Sequence, residues 1–231
     1  MKLFTLISLT IFATLAAAIP YGESICHQED YTCYKVNKVD TWDDLFPDAE
    51  TKDFVQRVNR MNLPLQRDMV IAIPKMLERL TIYDIAPFPR YIEGIGEKTI
   101  YVDQVKLAFA AYDELGELVW WGPISGGVAK CMAPGGCKTP VGIFRIIRKQ
   151  GEDCVSTAFP VNEDGEDGGA LMPYCMHFFR GYALHGSEQL PGYNASHGCV
   201  RLFTDDARWL NEEFVDLPGG GIDGTRVIIK G

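Results

Sequence analysis

Cys199 lies in the run Ser196-His197-Gly198-Cys199-Val200-Arg201-Leu202, where a thiol, an imidazole, a hydroxyl and a guanidinium crowd one short segment. A thiol with a pKa near ~8.5 is only a few per cent ionised at neutral pH, so a cysteine nucleophile needs a histidine or backbone amides to help it. The chain has 4 histidines, His27, His177, His185 and His197, and the last two bracket a single loop. His185 ends the apolar run Gly181-Tyr182-Ala183-Leu184, and a residue held at a strand end suits a general base. In an extended segment His197 and Cys199 point the same way. Gly198 between them lets a substrate carbonyl approach, with the amides around Gly198 and Cys199 available to an oxyanion. Arg201 offers a planar fork for a carboxylate. The same residues also allow a buried structural cysteine, half of a disulfide, or a zinc site from His185, His197 and Cys199 that lacks a nearby fourth ligand. Ser196 as nucleophile lacks the glycine-flanked elbow.

The chain carries 7 cysteines, at 26, 33, 131, 137, 154, 175 and 199. In an oxidising compartment an odd number leaves one thiol without an internal partner. Pairing neighbours, Cys26 with Cys33, Cys131 with Cys137 and Cys154 with Cys175, is the simplest scheme and frees Cys199, although other connectivities stay open. Met1-Lys2, an apolar run from Leu3 to Leu15 and the cluster Ala16-Ala17-Ala18 have the layout of a secretory signal cleaved after Ala18. The run falls short of the ~20 residues that cross a bilayer. The formal net charge is −9, and removing the leader takes one lysine and no acid, so the chain lacks the basic balance that phosphate binding needs.

The elements that must position these groups fall into two parts. Tyr31 to Val36 reads as a strand, Thr41-Trp42-Asp43-Asp44 as a capping box, Phe54, Val55, Val58 and Met61 as a helical stripe, and Met69 to Ile73 as a strand stopped by Pro74. Prolines and glycines between Pro74 and Glu97 mark a connecting stretch. From Thr99 onward β-branched and aromatic runs alternate with turn formers up to Arg226-Val227-Ile228-Ile229. One helix interrupts them, which Thr204 can cap, with Asp205 and Asp206 at its positive end and Ala207, Leu210 and Phe214 on its inner stripe.

Two resemblances sharpen this reading. The run from Tyr31 through Thr41, Asn59, Leu65 and Ile71-Ala72-Ile73-Pro74 resembles a degenerate lysin motif (LysM), a small βααβ module whose family binds N-acetylglucosamine-containing glycans. A glycan-free spacer is the other reading of it. The Ser196 to Leu202 run, preceded by His185-Gly186, resembles the signature of the YkuD-type L,D-transpeptidase catalytic domain. Ile124-Ser125-Gly126-Gly127, Lys138 to Phe144 and Met172 to Phe179 match the same family in the same order. These imply a mainly β fold, a β-sandwich-like catalytic domain with few helices over 98–231, after a leader at 1–18, a LysM-like module at 19–80 and a linker at 81–97.

By that resemblance Cys199 is the nucleophile and His185 the base, oriented through a carbonyl near Gly186. His197, Gly198 and the Cys199 amide form the oxyanion site, and Arg201, Ser196 and Tyr174 bind substrate. The activity implied is acyl transfer on peptidoglycan stem tetrapeptides, forming 3→3 cross-links or attaching a lipoprotein, without metal or cofactor and sensitive to carbapenems. An L,D-carboxypeptidase or a non-catalytic wall-binding protein are the alternatives. The expected partners are stem peptides and glycan, and the expected location is the periplasm.

Overall fold

The structure is a computed structural model that describes residues 18–129, 131, 137–160 and 169–231. The expected leader falls almost wholly outside the described residues. Among them, no helix is long and apolar enough to cross a membrane.

The N-terminal part opens with the short helix α1 (Tyr21–Ile25), joined by the Cys26–Cys33 disulfide to strand β1 (Tyr31–Lys35). Helix α2 (Trp42–Leu45) begins at Thr41, whose hydroxyl accepts from the Asp44 amide at 3.1 Å and donates to the Asp44 carboxylate at 2.7 Å. Helix α3 (Ala49–Asn59) is capped by Asp48, which accepts from the Thr51 amide at 2.8 Å. The chain returns as β2 (Val70–Pro74), antiparallel to β1 with Cys33 opposite Ala72. This is the βααβ order expected of these residues. Asn59 locks it: its side chain receives the Ala72 amide and donates to the Ala72 carbonyl, at 2.8 and 2.9 Å, pinning α3 to β2. Val36, Trp42, Phe46, Val55, Met61 and Ile71 fill the small core between them.

The rest of the chain builds one large sheet from β3 (Thr99–Asp103), β4 (Ala108–Tyr112), β5 (Leu118–Ser125), β6 (Gly142–Arg145) and β7 (Arg148–Lys149). A side hairpin of β8 (Val155–Pro160) and β9 (Gly169–Leu171) precedes β10 (Met176–Phe179), β11 (Tyr182–Gly186) and β12 (Val200–Leu202). After helix α4 (Thr204–Trp209) and a π-helical turn at Leu210–Phe214 come a small hairpin, β13 (Pro218–Gly219) and β14 (Ile222–Asp223), and the last strand β15 (Arg226–Lys230). The sheet has nine strands in the order β6-β15-β3-β4-β5-β12-β11-β10-β7. The expected sandwich is therefore a single sheet curled on itself, and Phe144 on β6 comes within 5.3 Å, ring to ring, of Phe178 on β10.

The central strand β4 is buried at every residue, which a half-solvated antiparallel strand is not. Phe109 and Ala111 face the main core, which α4 and its following turn close with Ala207, Leu210 and Phe214. Ala108, Ala110 and Tyr112 face the other way, onto a second core completed by Tyr83, Ile85, Ala86, Phe88 and Ile92. The proline-rich stretch 81–97 is thus the cover of the sheet's second face and not a loose tether. Its carbonyls at Ile82 and Pro89 accept from Trp121 Nε1 at 2.6 Å and Tyr112 Oη at 2.7 Å, and its Tyr83 hydroxyl donates to the Val119 carbonyl at 2.9 Å.

Helix α4 departs from the sequence reading at its start. Its cap position is Phe203, without a side-chain bond, and the Thr204 hydroxyl donates instead to Glu188 at 2.6 Å. Asp206 is not a solvated charge at the helix dipole. It is 1% exposed and receives both arms of the Arg57 guanidinium, at 2.8 and 2.9 Å, and the Trp120 indole N–H at 2.8 Å. Arg57 comes from α3, so this buried pair joins the N-terminal module to the helix that follows Cys199.

Candidate active site

Strands β11 and β12 lie side by side and parallel, with Leu184 opposite Val200 and His185 opposite Arg201. Alternation along a strand then sorts the side chains: Leu184, Val200 and Leu202 enter the main core, while His185, Cys199 and Arg201 face outward together. They line an open cleft of about 710 Å³ whose wall also includes Gly186, His197 and Ser187 to Gln189. Cys199 is the free thiol; the other 6 cysteines are joined as 26–33, 131–137 and 154–175. It packs against the buried 154–175 disulfide, Met172 and Ala183.

His185 is buried, and its Nδ1 lies 2.8 Å from the Gly186 carbonyl. A carbonyl only accepts, so Nδ1 carries the proton and Nε2 keeps its lone pair. Burial pushes the His185 pKa down to about 4, with Arg201 adding to the fall and the Gly186 carbonyl opposing it. Burial likewise pushes the Cys199 thiol up, against the Ala183 amide and Arg201, which lower it. At neutral pH the resting pair is a neutral imidazole and a neutral thiol. Such a pair moves a proton only as the sulfur attacks.

The turn into Cys199 is held at each of its peptide groups. Gly198 has φ +124°, and a Cβ there would meet the Tyr182 ring at 2.6 Å, so only glycine fits. The Gly198 amide donates to Ser196 Oγ at 3.0 Å, and the Ser196 hydroxyl donates to the Cys199 carbonyl. The Thr139 hydroxyl donates to the Gly198 carbonyl at 2.8 Å while accepting from the Gly127 amide at 2.8 Å. A trans peptide points its N–H opposite its C=O, so fixing the Gly198 carbonyl also fixes the direction of the Cys199 amide.

The structure brings together Cys199, His185, Gly186 and Arg201, with His197 exposed on the rim. Three expected residues are placed otherwise. The Gly198 amide is already bonded, which leaves the Cys199 amide as the backbone candidate for an oxyanion. Ser196 is part of the cleft wall, but it is 2% exposed and its hydroxyl is engaged within the turn, so it shapes the loop. Tyr174, at φ +57°, packs its ring on the main core and is not part of the cleft wall. Thr139 and Glu188 are functional candidates that sequence reasoning missed. Thr139 stood only inside the Lys138-Thr139-Pro140 motif, and a neutral hydroxyl gives no signal of its own. Among the described residues, the cluster of metal-capable side chains is Cys26, His27 and Cys33, whose two sulfurs are joined in a disulfide; His185, His197 and Cys199 are not so gathered.

The family model described as the L,D-transpeptidase catalytic domain, YkuD, matches residues 97–229, more than half of the chain. The chain belongs to the L,D-transpeptidase catalytic-domain family. It is accordingly an enzyme of the transpeptidase class. Among solved structures, an L,D-transpeptidase from Xylanimonas cellulosilytica DSM 15894 is similar at 24% identity and a TM-score of 0.53, covering 77% of this chain and 78% of that one. An L,D-transpeptidase from Stackebrandtia nassauensis is similar at 23% identity and 0.46, covering 63% and 61%. One from Mycobacterium smegmatis is similar at 22% and 0.44, covering 58% and 59%. No curated protein matches the chain.

Proposed function

We propose that this L,D-transpeptidase is exported and acts on peptidoglycan stem tetrapeptides through a Cys199 thioester. The observation that supports this best is the register of β11 and β12, which puts a Nδ1-protonated His185 on the same face as the free thiol. As the Cys199 sulfur attacks the carbonyl of the third stem residue, its proton passes to His185 Nε2. The Cys199 amide receives the oxyanion, the bond to the terminal D-alanine breaks, and His185 returns the proton to the departing amine. An acceptor amine then attacks the thioester, giving its proton to His185, which hands it back to the thiol. An amine from a neighbouring stem gives a 3→3 cross-link.

Arg201 lies where a substrate carboxylate can meet its guanidinium. The three disulfides and the leader-like start support an extracytoplasmic location, in the periplasm. The LysM-like module offers a shallow cleft lined by Lys35 to Lys38, Arg67 and Asp68 where a glycan could lie.

The test is incubation of the protein and its Cys199→Ala form with disaccharide tetrapeptide, read by mass spectrometry. Cross-linked dimers from the wild type alone are expected. Free tripeptide without dimers marks an L,D-carboxypeptidase, and identical products from both proteins overturn the nucleophile.

A further inference from the structure

The chain between His185 and Ser196 supplies one wall of the cleft, through Ser187, Glu188 and Gln189, yet it contains no helix and no named strand beyond Gly186. A strip of irregular backbone beside a substrate keeps its shape only if its polar groups are satisfied elsewhere. The Ser187 amide donates to the Leu202 carbonyl of β12 at 2.8 Å and the Gln189 amide to Ser187 Oγ at 3.1 Å, and the N-terminal module supplies partners for the Ser187 carbonyl and for Leu190 to Gly192. Asn62, just past the end of α3, donates its carboxamide N–H to the Ser187 carbonyl at 2.8 Å and accepts the Leu190 amide on its oxygen at 2.8 Å. Its own backbone amide donates to the Leu190 carbonyl at 3.1 Å, Met61 forms a bridge with Pro191, and the Tyr21 amide donates to the Gly192 carbonyl at 2.8 Å.

One carboxamide therefore spans the two ends of the Ser187 to Leu190 segment, as a strand partner would. On its opposite side the same segment meets Arg201 and the first residue of α4. The Gln189 carbonyl accepts from Arg201 Nη1 at 3.2 Å, and the Glu188 carboxylate accepts from Thr204 at 2.6 Å. The strip is held between Asn62 and Arg201. None of these hydrogen bonds involves Cys199 or His185.

We propose that Asn62 is a positioning residue for the active site: the N-terminal module holds the cleft wall in the shape that receives the stem peptide, and does so chiefly through this side chain. The inference rests on the stem-peptide reading above. Loss of the clamp weakens peptide binding while leaving the chemistry of the thiol unchanged.

The experiment compares the full-length protein with Asn62→Ala, Asn62→Asp and a control, Ile71→Val, which trims the module's own core at a residue with no solvent exposure. Four quantities are read: KM and kcat for tetrapeptide conversion, the rate at which iodoacetamide alkylates Cys199, the tetrapeptide concentration that halves that alkylation, and Tm. For both Asn62 variants we expect KM and the half-protecting concentration to rise about tenfold, with kcat and unprotected alkylation within about twofold of wild type. Asn62→Asp keeps the acceptor for Leu190 but faces the Ser187 carbonyl with a carboxylate, so it should fail like Asn62→Ala. Ile71→Val should lower Tm without moving KM.

The proposal is overturned if the Asn62 variants bind tetrapeptide as the wild type does, or if Ile71→Val raises KM as much at an equal loss of Tm. Protection without turnover in the wild type would sink the transpeptidase reading and leave the clamp readable from protection alone. Absence of both turnover and protection overturns both.

Discussion

At the level of single residues, protonation decides how the site works. A buried His185 with its pKa pushed down to about 4 is a neutral base across the physiological range. The acid limb of a kcat/KM profile should therefore lie below pH 5, well under the usual histidine value, while alkylation of Cys199 should keep rising above pH 9 because burial raises its thiol. A profile with an acid limb near 6.5 would contradict the neutral pair.

The same shifts act on stability. His177, buried and with no hydrogen-bond partner for its Nδ1 among the described residues, is also held at about 4, by burial first and by Arg148 second. Both histidines bind fewer protons folded than unfolded between pH 4 and 6.5, so stability falls as pH is lowered through that window. Thermal melts at pH 7.5, 5.5 and 4.5 should show it, and His177→Phe should flatten the fall. Thr139 is the residue whose effect on the chemistry should be cleanest to read. Thr139→Val keeps the side-chain shape but removes both the donor to Gly198 and the acceptor for the Gly127 amide, so we expect acyl transfer to drop by roughly 100- to 1000-fold, the order of a lost oxyanion donor. Alkylation should be unchanged and Thr139→Ser should restore the rate.

At the level of elements, two contacts join parts of the chain far apart in sequence. The Arg57–Asp206 pair, at 3% and 1% exposure, fixes α3 to α4. Asp206→Leu leaves a buried guanidinium with only the half-exposed Asp53 as carboxylate partner, and should cost about 3–5 kcal/mol in urea unfolding. Arg57→Met combined with Asp206→Leu should recover most of that loss, because an apolar pair removes the uncompensated charge. The second contact is the cover of the outer sheet face by residues 83–95. Sequence punctuation marked this stretch as a connector because prolines and glycines signal irregular backbone, and irregular it is. Punctuation carries no information about which surface irregular backbone covers, whereas the uninterrupted apolar run of β4 already demanded a cover on both faces.

For the whole molecule, the N-terminal module and the catalytic sheet form a continuous structure. Removing residues 1–96 would expose Ala108, Ala110, Tyr112 and Trp121, leave Asp206 without Arg57, and free the 187–192 strip. A fragment starting at residue 97 should therefore aggregate or melt far below the full chain by circular dichroism, although it spans the entire family match. Native-like melting of that fragment would refute the dependence.

Local sequence patterns were enough for the strand content, the βααβ order at the N-terminus, Cys199 and His185 as the candidate pair, and neighbour pairing as the simplest scheme for the other six cysteines. Each of these is written in local patterns: residue types within a few positions of one another, or apolar periods of 2 and 3.6. Tertiary structure alone decided the protonation of the Cys199–His185 pair, the buried role of Asp206, the engagement of Ser196 and Gly198 inside their own turn, and the reach of Thr139 and Asn62. Those depend on burial and on partners dozens of residues away, and no local period encodes either. An acid at a helix start reads as a dipole partner until Arg57 is brought to it, and an asparagine after a helix reads as a turn until a cleft wall lies against it.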